Sequence, residues 1–192
     1  MNEEEIRAAT VGEPRVLDGT IDLVDYDRAW PDLFTRESER IRSTLGNVAR
    51  ALEHVGSTSV PGLAAKPIID IALAVSVSAN EAAYVPALGA IGYVLRIREP
   101  DWYEHRMLAR SEPSVQIHVF SEGCPEIERM LLFRDRLRGN TAERDLYELT
   151  KRRLARRTWR YVQNYADAKT GIVNDIIARA RERGSDPGGA SL

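Results

Sequence analysis

The chain has 192 residues, 43% hydrophobic and 29% charged, with 27 Lys+Arg against 29 Asp+Glu. That mix is globular, not disordered, collagen-like or low-complexity, and no apolar run approaches the ~20 residues that span a bilayer. The acidic start Met1–Glu5 lacks the basic-then-apolar pattern of a secretory signal. A single cysteine, Cys124, excludes an internal disulfide framework and a multi-thiolate metal site, so the expectation is a cytoplasmic protein without a membrane partner.

Residues 1–14 show little periodicity and are expected to be a flexible terminus. Thr20–Val24 alternates as a short strand does, and Asp27 is placed to cap a helix whose apolar face is Trp30, Leu33, Phe34, Ile41 and Leu45, ending at Gly46. Val48–Val55 reads as a strand closed by Gly56-Ser57. Pro61-Gly62 then breaks the next segment into a loop or a single helical turn. Ile68–Val75 is an almost unbroken apolar run, the pattern of a central strand buried on both faces. A helix over Asn80–Ala90 and a strand over Gly92–Arg98 follow. Tyr103–Ala109 and Val115–Phe120 flank Ser111-Glu112-Pro113 as a hairpin.

From Pro125 the period becomes helical. One helix ends at Gly139, a second starts near Thr141, and a third carries Tyr161, Tyr165, Ile172, Val173, Ile176 and Ile177. Residues 184–192 form a Gly/Ser/Pro tail expected to be disordered. The fold class is therefore α+β: a mixed sheet with interleaved helices and a helical C-terminal third, one domain over 15–183. Charge is uneven along it. Pro125–Arg183 has 15 basic and 9 acidic residues, and six of the basic ones lie within Thr150–Arg160. Such a face attracts phosphate, but nucleic acid is a poor candidate, because the chain is not basic overall and exposed aromatics are not interleaved.

The segment His54–Ile71 holds the most chemistry. Gly56 permits close backbone approach, and Ser57, Thr58 and Ser59 offer hydroxyls and N–H groups to an anion. Asp70 is the one charge in its apolar run. A carboxylate there is paired, protonated, metal-bound or open to a cleft. With the hairpin centred near Glu112, Arg106 falls opposite His118 and Glu104 opposite Phe120, while His105 falls on the other face. If that polar face is shared with Asp70, His118 is a candidate general base or metal ligand, and Glu104 a further ligand. The chain has three lysines, Lys66, Lys151 and Lys169, among 24 arginines. Lys66 and Lys169 are candidate phosphate ligands, as are Arg134 and Arg138, which share one helical face.

Gly56-Ser57 followed by Asp70-Ile71 on an apolar strand resembles the nucleotidyltransferase superfamily signature. The longer pattern resembles the GrpB family: Gly56-Ser57-Thr58-Ser59-Val60-Pro61-Gly62-Leu63, then Ala65-Lys66-Pro67-Ile68-Ile69-Asp70. Ile117-His118-Val119, Pro125–Arg129, Leu132–Arg138 and Tyr165–Thr170 fit as well, over about residues 20–178. The resemblance implies a nucleotidyltransferase-like sheet. It does not fix the reaction; joined to the residues above, the leading expectation is Mg²⁺-assisted transfer from a nucleoside triphosphate to a small acceptor, with Asp70 and His118 as catalytic residues. The sequence departs from the superfamily at Ala72, two residues beyond Asp70 on the same strand face, where a second metal carboxylate belongs. That departure leaves open a non-catalytic module that binds a nucleotide or another anionic metabolite.

Overall fold

The computed structural model describes residues 1–184, and the expected tail lies, from residue 185 on, outside the described residues. The elements run α1 (Glu3–Ala9), β1 (Val16–Gly19), α2 (Trp30–Leu45), β2 (Ala51–Val55), β3 (Ile69–Val75), α3 (Val85–Ala90), β4 (Val94–Glu99), β5 (His105–Arg110), β6 (Val115–Ser121), α4 (Pro125–Gly139), α5 (Thr141–Ala155), β7 (Trp159–Tyr161), α6 (Val162–Asp167) and α7 (Thr170–Gly184). Among the described residues no helix is long and apolar enough to cross a membrane.

Five strands form a mixed sheet in the order β2-β3-β6-β5-β4, with β3 and β6 parallel at its centre and the other neighbours antiparallel. The apolar run of β3 is explained by this position, since both of its faces are covered. Ile69, Ile71, Leu73 and Val75 pack with Val115, Ile117 and Val119 of β6 against Trp30, Ile41 and Leu45 of α2 and Tyr84 and Leu88 around α3. The alternate residues Asp70, Ala72 and Ala74 face the C-terminal helices. Leu137 of α4, Tyr147 of α5 and Ile176 of α7 close a second core there with Val60 and Leu63. The α+β architecture expected from the sequence, a mixed sheet flanked by helices with a helical C-terminal part, is the one observed.

Several local expectations are corrected. The first strand is Val16–Gly19, not Thr20–Val24. Its partner is β7, while Ile21 turns inward onto Leu154 and Tyr165, and Val24 makes only a bridge to Ala65. Residues 1–14 contain α1, closed by a capping box between Asn2 and Glu5, with Ile6 buried and Thr10 bridged to Ile97. The helix expected from Asn80 is a 3₁₀ turn at Glu81–Ala83 followed by α3, whose first turn carries Pro86. The third C-terminal helix is divided into β7, α6 and α7.

The hairpin correction has the largest effect. Met107, not Arg106, pairs with His118, and Leu108 pairs with Ile117. A slip of one residue moves every side chain of β5 to the other face.

Candidate functional site

Gly56 ends β2 at φ 70° and ψ −173°, a region essentially closed to residues with a side chain. Asp70, second in β3, pairs with Val55 and lays its carboxylate against Gly56. A Cβ on Gly56 would stand 2.3 Å from Asp70 Oδ2. Ser57–Ser59 make one 3₁₀ turn. The Thr58 hydroxyl donates to Ile68 O at 3.0 Å and accepts from His54 Nε2 at 3.1 Å, and Ser59 Oγ donates to Gly56 O at 2.6 Å. These two hydroxyls brace their own loop. His54 is buried against the Phe34 ring, and burial pushes its pKa down to about 4.

Arg138 donates to Ser59 O at 3.0 and 2.8 Å, and Arg134 donates to Glu53 Oε2 at 2.9 Å and His54 O at 3.1 Å. Arg138 thus ties α4 to the Gly56–Ser59 turn and Arg134 ties it to β2, both through protein acceptors.

The three lysines converge on this turn from three distant segments. Lys151 of α5 is 2% exposed and donates to Ser57 Oγ at 3.1 Å and to Ala64 O, with its ammonium over the Tyr147 ring. Burial, reinforced by the charge of Lys169, pushes its pKa down to about 7. Lys169, between α6 and α7, lies over the Tyr165 ring at 4.6 Å. Burial lowers its pKa, and Asp70 opposes that shift. Lys66, in the loop before β3, is also lowered, first by burial and then by Lys169, against the pull of Asp70. Among the described residues neither Lys66 nor Lys169 has a carboxylate within ion-pair distance. Among the described residues the buried Tyr165 hydroxyl has no hydrogen-bond partner.

On the other side of Asp70 stands His118, with Nε2 3.7 Å from Asp70 Oδ1. Because of the hairpin register, the residue sharing its face is His105, whose Nε2 is 3.2 Å from His118 Nδ1. His105 Nδ1 in turn meets Glu99 Oε2 at 2.7 Å. Glu104 is not in this group. It sits in a turn at φ 50° and accepts from Arg106, which is buried on the opposite face of the sheet and also bonds Glu81 at 2.6 Å. The face on which Glu104 and Arg106 were expected beside His118 is therefore occupied by His105, which links His118 to Glu99.

The donor set limits how a metal can be held. Among the described residues no three His, Cys, Asp or Glu side chains are grouped as a metal site. Ala72 lies in register between Glu53 and His118, and the Glu53 carboxylate is engaged by Arg134. A divalent ion beside Asp70 would draw its remaining ligands from water and from oxygens brought by a bound molecule. A hollow of about 450 Å³, lined in part by Arg136, Asn140, Glu143 and Arg179, lies elsewhere, among α4, α5 and α7.

Of the residues that sequence reasoning named, the structure sets Gly56 and His118 beside Asp70, places Lys66 and Lys169 within electrostatic reach of it, turns Thr58, Ser59, Arg134 and Arg138 onto protein partners, and leaves Glu104 outside the group. Sequence reasoning missed Lys151 and Tyr147, although the scarcity of lysine beside so many arginines was a usable signal. It lost His105 and Glu99 to the register error.

The fold and this cluster define a small α+β protein with three lysines gathered round a Gly-Ser turn and one carboxylate. The family model described as "GrpB protein" matches residues 20–179, and the chain belongs to that family. It is 57% identical over 178 residues to a UPF0157 protein of Halalkalibacterium halodurans, covering 93% of this chain and 91% of that one. It is 43% identical over 170 residues to a UPF0157 protein of Streptomyces coelicolor, covering 88% of each. The crystal structure of conserved protein GrpB from Enterococcus faecalis superposes with a TM-score of 0.71 at 29% identity, covering 85% of this chain and 99% of that chain.

Proposed function

We propose that this chain is a nucleotidyltransferase-like protein. It binds a nucleoside triphosphate at the Gly56-Ser57 turn and transfers the nucleotidyl group to a small acceptor. The observation that carries the reading is the gathering of Lys66, Lys151 and Lys169 about Ser57 and Asp70, none of the three with a carboxylate within ion-pair distance among the described residues. Three ammonium groups in a desolvated recess repel one another, and a polyphosphate relieves that repulsion. Gly56, having no Cβ, lets the backbone approach a phosphate closely. Mg²⁺ arriving with the phosphates would be held by Asp70 and would supply charge stabilisation at the transferring phosphorus.

Ala72 favours a second reading, in which the recess binds a nucleotide or another anionic metabolite without transfer. Calorimetry with the common nucleoside triphosphates, with and without Mg²⁺, combined with a pyrophosphate-release screen over mixed acceptors, separates the two. Nucleotide binding that Lys169→Met weakens about tenfold or more, with release that Asp70→Asn abolishes, supports transfer. Binding without release selects the second reading. No binding of any nucleotide overturns both of the nucleotide readings.

A further inference from the structure

The relay beside Asp70 fixes where protons sit, and nothing in the proposed phosphate site requires it. Glu99 Oε2 and His105 Nδ1 are 2.7 Å apart, and an ionised carboxylate only accepts. His105 Nδ1 therefore carries the hydrogen. His105 is 4% exposed, with Trp102 edge-on to its ring and Phe120 stacked on it, an enclosure that disfavours the charged imidazole. Its Nε2 is then a bare lone pair. The contact at 3.2 Å to His118 Nδ1 is a hydrogen bond only if His118 Nδ1 is the donor. A neutral His118 is left with its lone pair on Nε2, the atom that faces Asp70. At 3.7 Å that pair is too far apart for a direct hydrogen bond.

We infer that Glu99 and His105 are positioning residues that hold His118 with Nε2 bare, and that Nε2 takes the proton of a hydroxyl-bearing acceptor substrate docked beside Asp70. The step rests on the nucleotidyl-transfer reading. The acceptor O–H gives its proton to His118 Nε2, and the acceptor oxygen bonds to the α-phosphorus. The bond from that phosphorus to the pyrophosphate oxygen breaks, and pyrophosphate leaves with the electron pair. The imidazolium so formed lies between Asp70 and the His105 lone pair, both of which stabilise positive charge. The arrangement commits the protein to acceptors that carry an ionisable O–H. A group without a transferable proton has no use for a bare imidazole nitrogen.

The test is a two-bond ¹H–¹⁵N correlation spectrum of the full chain labelled with ¹⁵N-histidine. The three histidines are assigned by single His→Gln substitutions. In the wild type His105 and His118 should both carry the hydrogen on Nδ1. His54 should carry it on Nε2, because Thr58 has already given its own hydrogen to Ile68 O. Glu99→Leu should abolish the His118 preference and leave His54 unchanged, which reports that the fold is intact. A wild-type His118 protonated on Nε2 overturns the inference without any variant. So does an unchanged His118 in Glu99→Leu with His54 unchanged. Where pyrophosphate release is measurable, Glu99→Leu should lower kcat about tenfold or more with KM for nucleotide unchanged. An equal loss through KM would make the relay merely structural. Failure of nucleotide to bind overturns the transfer reading and the acceptor role with it, but it does not alter the spectrum, so the two failures are distinguishable.

Discussion

Gly56 and Asp70 are fitted to each other: the space a Cβ on Gly56 would need is occupied by Asp70 Oδ2, 2.3 Å from that position. Gly56→Ala therefore meets two obstacles, the clash and a backbone at φ 70° that side chains avoid. The substitution should destabilise the fold by about 1–3 kcal/mol in urea unfolding and weaken nucleotide binding. Adding Asp70→Ala removes the Oδ2 and Cγ contacts but keeps the close Cβ approach at 3.0 Å and the backbone strain. The double variant should thus recover part of the lost stability, and strict additivity in that cycle would show that the two residues do not touch.

Lys151 should couple ligand binding to proton uptake. In the free protein its pKa is near 7, lowered by burial and by Lys169 and Arg152, with Glu148 opposing. A bound phosphate favours the charged amine and raises that value. The protonated form then binds more tightly, so affinity should be greatest below about pH 7 and fall as pH rises above it. Titration at pH 8 in two buffers of different ionisation enthalpy should show net proton uptake. Lys151→Met should abolish the uptake.

Ala72→Asp would place a second carboxylate on the face of Asp70, between Glu53 and His118. The position is 1% exposed, so the variant should lose several kcal/mol of stability without a metal. Mn²⁺ should restore much of that loss and bind more tightly than it does to the wild type, as followed by electron paramagnetic resonance. Equal Mn²⁺ affinity in the two proteins would show that the face is not open to an ion.

Glu143 of α5 joins three C-terminal helices. It accepts from Arg179 at 2.9 and 2.8 Å and from Arg136 at 3.0 Å, and these bonds, Arg179 foremost, hold its carboxyl near a pKa of about 2. Its folded value lies below its unfolded one, so its stabilisation is complete above about pH 4.5 and is lost as pH falls toward 2. Glu143→Gln should cost about 2 kcal/mol at pH 7. The gap from wild type should shrink steadily below pH 4.5 in denaturation curves taken at several pH values.

The strength of the apolar signal decided what was legible. β3 was readable because a run buried on both faces leaves Asp70 as a conspicuous exception, and the same exception pointed to Gly56 and Ser57. Short elements were not readable. β1 and β7 are defined by each other, and neither Val16–Gly19 nor Trp159–Tyr161 has a pattern that survives without its partner. The hairpin showed its two strands but not their register, since Ser111–Ser114 permits more than one pairing. That single residue of slip exchanged His105 for Glu104. Lys151 lay within a cluster of six basic residues whose charge suggests a solvated helix face, and only the packing of α5 on Leu63 and Ala64 turns it inward.

The parallel pairing of β3 with β6 has a practical consequence. Asp70 and His118 meet only when β3 pairs with β6 across the two strands that separate them in sequence, and Lys151 and Lys169 join them only when the C-terminal helices are docked. A recess assembled from such distant segments does not exist in the unfolded chain, so a molecule that fits it binds the native state alone. Such a ligand raises the melting temperature with the logarithm of its concentration above Kd, adding about 2.7 kcal/mol of stability at a hundred times its Kd. Thermal-shift profiling against phosphorylated metabolites can therefore find the natural ligand without any assumption about the reaction.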